Sequence, residues 1–343
     1  MFMESMPTLF DFFSWKLIVI VLIFCILRAY LKGSQFNDRV SAKKLVAVVT
    51  GCNVGIGKQI VRELNLRGAK VYMLCRNKAR GEEAQMLLTQ MGCPIDRLIL
   101  KIVDMASFDS IRQFATEFSR EEERLDILVN NAGVMLLPKF RLTADGHETT
   151  WQTNYLGHFL LTELLLSGLR KSKQGGRVVN VSAVAHFYAD AQIDLEAVDN
   201  RGKWDARQAY AKSKLAMIQH ARELSRRLPR TTAEPEDSED ERSVPTVNAC
   251  HPGLAYTRIV RHTPLGNNAL LKVLLAPFAW FFMRTPKDGA QTPLYLALSP
   301  KLGGVSGKYF SDMAEKEPSD LAKDAIFCKD LYEYSLAACG LAE

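Results

Sequence analysis

The 343 residues contain no CxxC pair and no cysteine or histidine spacing of the kind that holds zinc, so no metal site is expected. The seven cysteines, at 25, 52, 75, 93, 250, 328 and 339, are odd in number and dispersed, which excludes a disulfide framework. Cys75 in VYMLC and Cys250 in VNAC lie in apolar runs, where cysteine behaves as a small buried hydrophobe. A dense basic block with interleaved aromatics is also missing. The net charge of +6 comes from 44 Lys and Arg scattered among 38 Asp and Glu, so nucleic acid is not an expected partner. With 48% hydrophobic and 24% charged residues the chain can bury a core, which excludes a disordered or fibrous protein.

Nor is there an uninterrupted apolar run of full bilayer length. Residues 17–27 (LIVIVLIFCIL) are apolar throughout. As a helix they cover only about 16 Å of a hydrocarbon core of about 30 Å. Extension back through Trp15, Phe13 and Phe12 includes one lysine, Lys16, whose stem can snorkel to the interface. A cleaved secretory signal carries its positive charge before the apolar run. Here Glu4 and Asp11 precede it, and Arg28, Lys32, Arg39, Lys43 and Lys44 follow. Residues 1–40 are therefore read as an uncleaved N-terminal membrane anchor helix with a basic linker, ahead of a hairpin or surface-lying anchor. Positive-inside then puts the body in the cytosol, on the endoplasmic reticulum membrane as the expected location. The sequon Asn180-Val181-Ser182 agrees, since it falls within a predicted buried strand.

From residue 45 short apolar runs alternate with amphipathic stretches. The runs are LVAVVT (45–50), KVYMLC (70–75), LILKIV (98–103), LDILVN (125–130), RVVNVS (177–182) and PTVNACH (245–251). They read as buried parallel strands, and helical patterns over 56–67, 78–90, 108–122, 149–170 and 208–227 lie between them. Repeated βα units predict the α/β class, with a single Rossmann-type doubly wound parallel sheet over 41–325 and a tail at 326–343. Ligands of such sheets bind at the carboxyl ends of the strands. Two segments break the rhythm. Residues 229–243 (PRTTAEPEDSEDERS) read as a solvated acidic loop, and the apolar stretch 269–283 (ALLKVLLAPFAWFFM) reads as a substrate flap over 258–286 in preference to a core helix.

The first strand runs into Thr50-Gly51-Cys52-Asn53-Val54-Gly55-Ile56-Gly57, which opens the first helix. Glycine here permits a tight turn, close approach of backbone to a pyrophosphate and close helix packing, while the helix N-terminus offers N–H groups to the anion. Where an NAD enzyme places an acid on the ribose 2′-hydroxyl, this chain has Cys75-Arg76-Asn77. An acid would repel a 2′-phosphate and a guanidinium binds it, so NADP(H) is the expected cofactor. Tyr210 and Lys214 stand i, i+4 on a predicted helix, where an ammonium favours phenolate and tunes the phenol for proton transfer. Ser182 ends the fifth strand, Asn130-Asn131-Ala132-Gly133 ends the fourth, and Asn154 lies in the long helix that follows.

Together these motifs resemble the short-chain dehydrogenase/reductase family, and more closely its membrane-anchored retinol dehydrogenase-like branch. The resemblance runs from about 45 to 310 and includes TGxxxGIG, NNAG, WxxNYLGHFLL at 151–161, VNVS, YxxxK and His251-Pro252-Gly253 with Thr257. It implies a catalytic tetrad of Asn154, Ser182, Tyr210 and Lys214, with Asn154 holding a water. It further implies cofactor contacts at Gly51, Asn53, Gly55, Ile56, Gly57, Arg76, Asp104, Asn131, Ala132, Gly133, Tyr210, Lys214, Pro252, Gly253 and Thr257. Asp104 would meet the adenine, Asn131 the ribose, and 252–257 the carboxamide. The expected substrate is a small hydrophobic carbonyl or alcohol, with retinoid and other isoprenoid aldehydes first and steroid ketones second. A homodimer is the assembly considered. The rival readings are a silent NADP(H)-binding regulator and a scaffold acting through the acidic loop. His186, near Ser182, is read as structural.

Overall fold

The computed structural model describes residues 9–228, 244–254, 276, 278 and 281–342. The acidic loop lies outside the described residues, as do Thr257 and most of the expected flap. Strand β1 (Val46–Thr50) leads into α2 (Gly55–Leu66), β2 (Lys70–Cys75), α3 (Lys78–Gln90), β3 (Leu98–Ile102), α4 (Phe108–Glu121) and β4 (Ile127–Asn130). The second half continues through α5 (Thr149–Trp151), a π-helical turn at Gln152–Leu156, α6 (Gly157–Arg170), β5 (Arg177–Val181), α7 (Ala206–Arg227) and β6 (Thr246–His251). After these come α8 (Pro286–Gly289), α9 (Gln291–Leu298), β7 (Tyr309–Ser311), β8 (Ala314–Glu315) and α10 (Ala325–Ala338). One helix, α1 (Leu9–Lys32), precedes the sheet.

The strands form one sheet in the order β3-β2-β1-β4-β5-β6-β7-β8, parallel except for the β7–β8 pair. The expected doubly wound α/β sheet is present, with two strands the sequence pattern did not announce. Period-2 geometry sends alternate side chains of β1 to opposite faces. Val46 and Val48 pack with Ile111, Phe159, Leu215 and Leu331, whereas Ala47 and Val49 pack with Ile60, Leu64, Leu88 and Leu294. Each face is thereby covered by helices, which is why the strands read as unbroken apolar runs rather than alternating ones. Since β2 and β4 flank β1, the chain reverses direction across the sheet there and leaves a crevice outside the carboxyl ends of β1 and β4.

The spanning anchor expected over residues 1–40 is not supported by the structure. Residues 9–32 are helical, but among the described residues no helix is long and apolar enough to cross a membrane. Lys16 and Arg28 bracket the apolar run, and Arg28 is buried rather than presented to a lipid interface. The helix end is tied to the body. Ser34 N–H donates to the Asp312 carboxylate (2.8 Å), Phe36 N–H donates to Gln291 Oε1 (2.9 Å), and the Phe36 side chain enters the core. At the other end of the chain, α10 packs on the body. Tyr155 Oη and Ser335 Oγ are 2.7 Å apart, and Tyr332 donates to Glu163 at 2.8 Å.

Candidate active site

The turn after β1 is shaped by sterics. Gly51 has φ +64°, and a Cβ there would stand 2.7 Å from the Ala132 Cα. At Gly57 a Cβ would stand 2.5 Å from Asn131 Nδ2 and 2.6 Å from the Gly51 carbonyl oxygen. Only glycine lets this turn, the first turn of α2 and the loop after β4 close on one another. Asn131 braces them. Its Nδ2 donates to the Thr50 and Gly51 carbonyls, at 2.8 and 3.2 Å. In this structure the Asn131 amide therefore holds the turn rather than pointing at a ribose.

Next to this turn lies a cleft of about 430 Å³. It is lined by Gly51, Asn53, Gly55, Ile56, Gly57, Arg76, Asp104, Asn131, Ala132, Gly133, Ser182, Tyr210, Lys214, Pro252 and Gly253. Every described residue expected at the cofactor is thus on one wall or another of a single cavity. The carboxylate of Asp104 accepts from Ala106 N–H at 3.0 Å, which fixes the turn after β3. Arg80 also lines the cleft beside Arg76 and was not anticipated. Its position follows from Asn77, which caps α3 by accepting from Arg80 N–H at 3.0 Å and so starts the helix where residue 80 faces the cavity. Arg76 and Arg80 are both exposed there.

At the other end of the cleft, Ser182, Tyr210, Lys214 and Asn154 come together, all buried. Tyr210 and Lys214 share one face of α7, with the Lys214 ammonium 5.9 Å from the centre of the Tyr210 ring. Lys214 Nζ donates to the Val181 carbonyl (2.9 Å), and Ser182 Oγ donates to the Lys214 carbonyl (2.7 Å). To donate into the cleft, the Ser182 hydroxyl has to turn off that carbonyl. The expectation that Lys214 draws the Tyr210 phenol toward neutrality is not met in this state. Burial pushes the phenol up, and burial lowers the Lys214 ammonium to about 8. With Nζ held on Val181, desolvation dominates both groups.

Asn154 sits in the π-helical turn rather than in the continuous helix expected over 149–170. Its amide is fully engaged. Oδ1 accepts from Val134 N–H (2.8 Å), while Nδ2 donates to the Val134 carbonyl and to Ser213 Oγ, both at 2.9 Å. Ser213 Oγ in turn donates to the Tyr210 carbonyl at 2.8 Å, so Asn154 ties the loop after β4 to α7. His186, expected to be structural, lies between the Ala183 carbonyl (2.8 Å) and Ser319 N–H (3.2 Å).

The fold and the site have recognisable relatives. A family model described as short chain dehydrogenase matches residues 45–265. Mouse "Retinol dehydrogenase 13" is 40% identical over 319 residues, which cover 92% of this chain and 90% of that protein. Human "Retinol dehydrogenase 12" is 38% identical, with 92% of each chain covered. "Short-chain dehydrogenase TIC 32 B, chloroplastic" of Brassica napus is 37% identical and covers 89% and 91%. Among solved structures, an uncharacterised protein from Mycobacterium paratuberculosis superposes with TM-score 0.66 at 30% identity, covering 90% of this chain and 98% of that one. The Pseudomonas aeruginosa RhlG/NADP active-site complex gives TM-score 0.58 at 25% identity, covering 79% and 95%. This chain belongs to the short-chain dehydrogenase/reductase family and is an oxidoreductase homologous to retinol dehydrogenases.

Proposed function

We propose that the protein is an NADP(H)-dependent oxidoreductase that reduces, or reversibly oxidises, a hydrophobic carbonyl or alcohol, a retinoid or other isoprenoid aldehyde before others. The observation that carries this reading is one continuous cleft with two arginines at one end and a buried tyrosine–lysine–serine group at the other. Gly51 and Gly57 let the turn after β1, the first turn of α2 and the loop after β4 close on one another, and both line the cleft where a dinucleotide backbone would pass. Arg76 and Arg80 suit a 2′-phosphate, and neither guanidinium is held in an ion pair among the described residues.

When bound, the nicotinamide cofactor supplies or accepts the hydride. The protein's own part is proton transfer and positioning. Tyr210 holds the proton for the carbonyl oxygen in reduction and takes it back in oxidation. Ser182, once turned off the Lys214 carbonyl, donates to the developing oxyanion. Lys214, once its Nζ turns off the Val181 carbonyl, contributes a positive charge that favours a negative phenol oxygen. Asn154 fixes the spacing between the loop after β4 and α7.

The mouth of the cleft is apolar, with Met135, Val184, Leu254 and Met283 along it and Tyr188 at its rim, 70% exposed. That lining and the retinol dehydrogenase relatives support a lipid substrate. Beside it, α1 exposes Leu17, Ile18, Ile20, Val21, Leu22 and Ile26, and Phe24 stacks on Phe281 at 4.3 Å. This apolar surface runs around the helix rather than along one face, and it supports contact of α1 with lipid next to the cleft. The relatives include a chloroplastic protein, so family membership assigns no organelle. A panel of lipophilic aldehydes and ketones with NADPH and NADH tests the reading, and turnover of retinoid aldehydes with NADPH above the other pairs is expected.

A further inference from the structure

His158 lies in the WxxNYLGHFLL stretch at 151–161 but has no part in the proposed proton transfer, and it is fully buried. It opens α6, directly after the π-helical turn in which Gly157 N–H donates to the Gln152 carbonyl five residues back. Its Nδ1 stands 2.9 Å from the Asn154 carbonyl oxygen, and its Nε2 stands 2.9 Å from Thr50 Oγ1. Proton accounting at Thr50 fixes the direction of both bonds. The Thr50 hydroxyl oxygen accepts from Asn131 N–H at 2.9 Å and from Ala132 N–H at 2.8 Å, which occupies its two lone pairs. Its single proton then goes to His158 Nε2 at 2.9 Å in preference to the Val129 carbonyl at 3.4 Å. With Nε2 an acceptor, the ring is neutral and carries its proton on Nδ1, which donates to Asn154 O. The chain of bonds runs from the loop after β4, through the last residue of β1, to the backbone of the π turn.

We infer that His158 is a positioning residue, whose neutral ring locks the π turn that carries Asn154 to the dinucleotide-facing ends of β1 and β4. The inference rests on the reading of Asn154 and Tyr210 given above. The two ring nitrogens do separable jobs. Nδ1 orients the Asn154 carbonyl at the proton-transfer end of the cleft. Nε2 takes the Thr50 proton and thereby leaves the hydroxyl oxygen free to hold the Asn131–Ala132 amides at the cofactor end.

Two amide substitutions split these jobs, because asparagine can place its NH₂ near the position of Nδ1 and glutamine can place its oxygen near that of Nε2. The test uses the full chain, NADPH dissociation constants from fluorescence titration, Tm without cofactor, and kcat and KM with NADPH and retinaldehyde. His158→Gln is expected to lower kcat by about tenfold or more with a smaller change in NADPH affinity. His158→Asn is expected to weaken NADPH binding several-fold with a smaller loss of kcat. His158→Leu should show both defects. The inference is overturned if all three variants keep the parent's kcat and NADPH affinity, or if Gln and Asn lose both in equal proportion alongside Tm, as a purely structural residue would. Tyr210→Phe and Asn154→Ala, run alongside, keep the two levels apart. If these two retain full activity, the proposed proton-transfer group is wrong, whatever His158 does.

Discussion

The ammonium of Lys214 donates to the carbonyl oxygen of Val181 at 2.9 Å, in a position where burial lowers its pKa to about 8. Below that pH the side chain is charged, and above it the charge is lost. Carbonyl reduction that relies on this charge should therefore fall as pH rises through about 8. Lys214→Arg, which stays charged far above that range, should remove or shift the alkaline limb even at reduced kcat. A pH–rate profile of both proteins checks this. An identical alkaline limb in the two would assign it to another group.

Arg76 and Arg80 line the same end of the cleft. Each charge-assisted bond to a phosphate contributes about 1.5–3 kcal/mol, so Arg76→Asp should reduce NADPH affinity relative to NADH by roughly tenfold to a hundredfold. Arg80→Ala should reduce it by less, and the double variant should prefer NADH. Unchanged relative affinities in the double variant would mean that the 2′-phosphate is read elsewhere.

Four histidines have imidazoles shifted by burial toward the neutral form: His158 to about 4, His220 to about 3, His251 to about 4, and His186 downward. Unfolded histidine titrates near 6.5. Above that value neither state is protonated and no stability is lost. Between about 6.5 and 4 the unfolded chain takes up protons that the folded chain refuses, so stability falls as pH drops through this window. Buried Glu148 and half-buried Glu163, whose carboxyls are shifted upward, and His147, whose imidazole is shifted upward by its bond to Asp199, oppose the trend in part. Thermal unfolding should show a lower Tm at pH 5 than at pH 7.5, and a Tm that holds or rises would contradict the assignment.

Much of this architecture was legible because buried parallel strands advertise themselves as apolar runs. The first six strands begin and end within two residues of their predicted limits. Strand β7 escaped notice because it is three residues long, and β8 has only two, both exposed. The glycine turn after β1 and Arg76 were readable from spacing and position, whereas the grouping of Ser182, Tyr210 and Lys214 followed from the family resemblance. Arg80 was not, since its orientation depends on where Asn77 caps α3. Asn154 was placed in the correct helical stretch, but the π turn that displaces it leaves no signature in the residue pattern. The Tyr210 environment was misjudged for a related reason: i, i+4 spacing reports proximity on a helix, whereas burial depends on what packs over it.

The exposed apolar side chains of α1 make a separate forecast. Full-length protein should float with phosphatidylcholine vesicles, and a chain starting at Gly33, which keeps the Ser34 and Phe36 contacts, should remain at the bottom of the gradient. Release of the full-length chain by alkaline carbonate would indicate peripheral contact of α1 with the bilayer. Retention through carbonate would restore the spanning arrangement.

The most direct test of the central claim is NADPH oxidation by purified protein with a lipophilic aldehyde, measured for the parent and for Tyr210→Phe under the same conditions. The expected result is turnover by the parent and a loss of at least about 10²-fold in kcat for the variant, with NADPH binding largely retained. Equal turnover by the two proteins would show that the buried phenol does not transfer the proton.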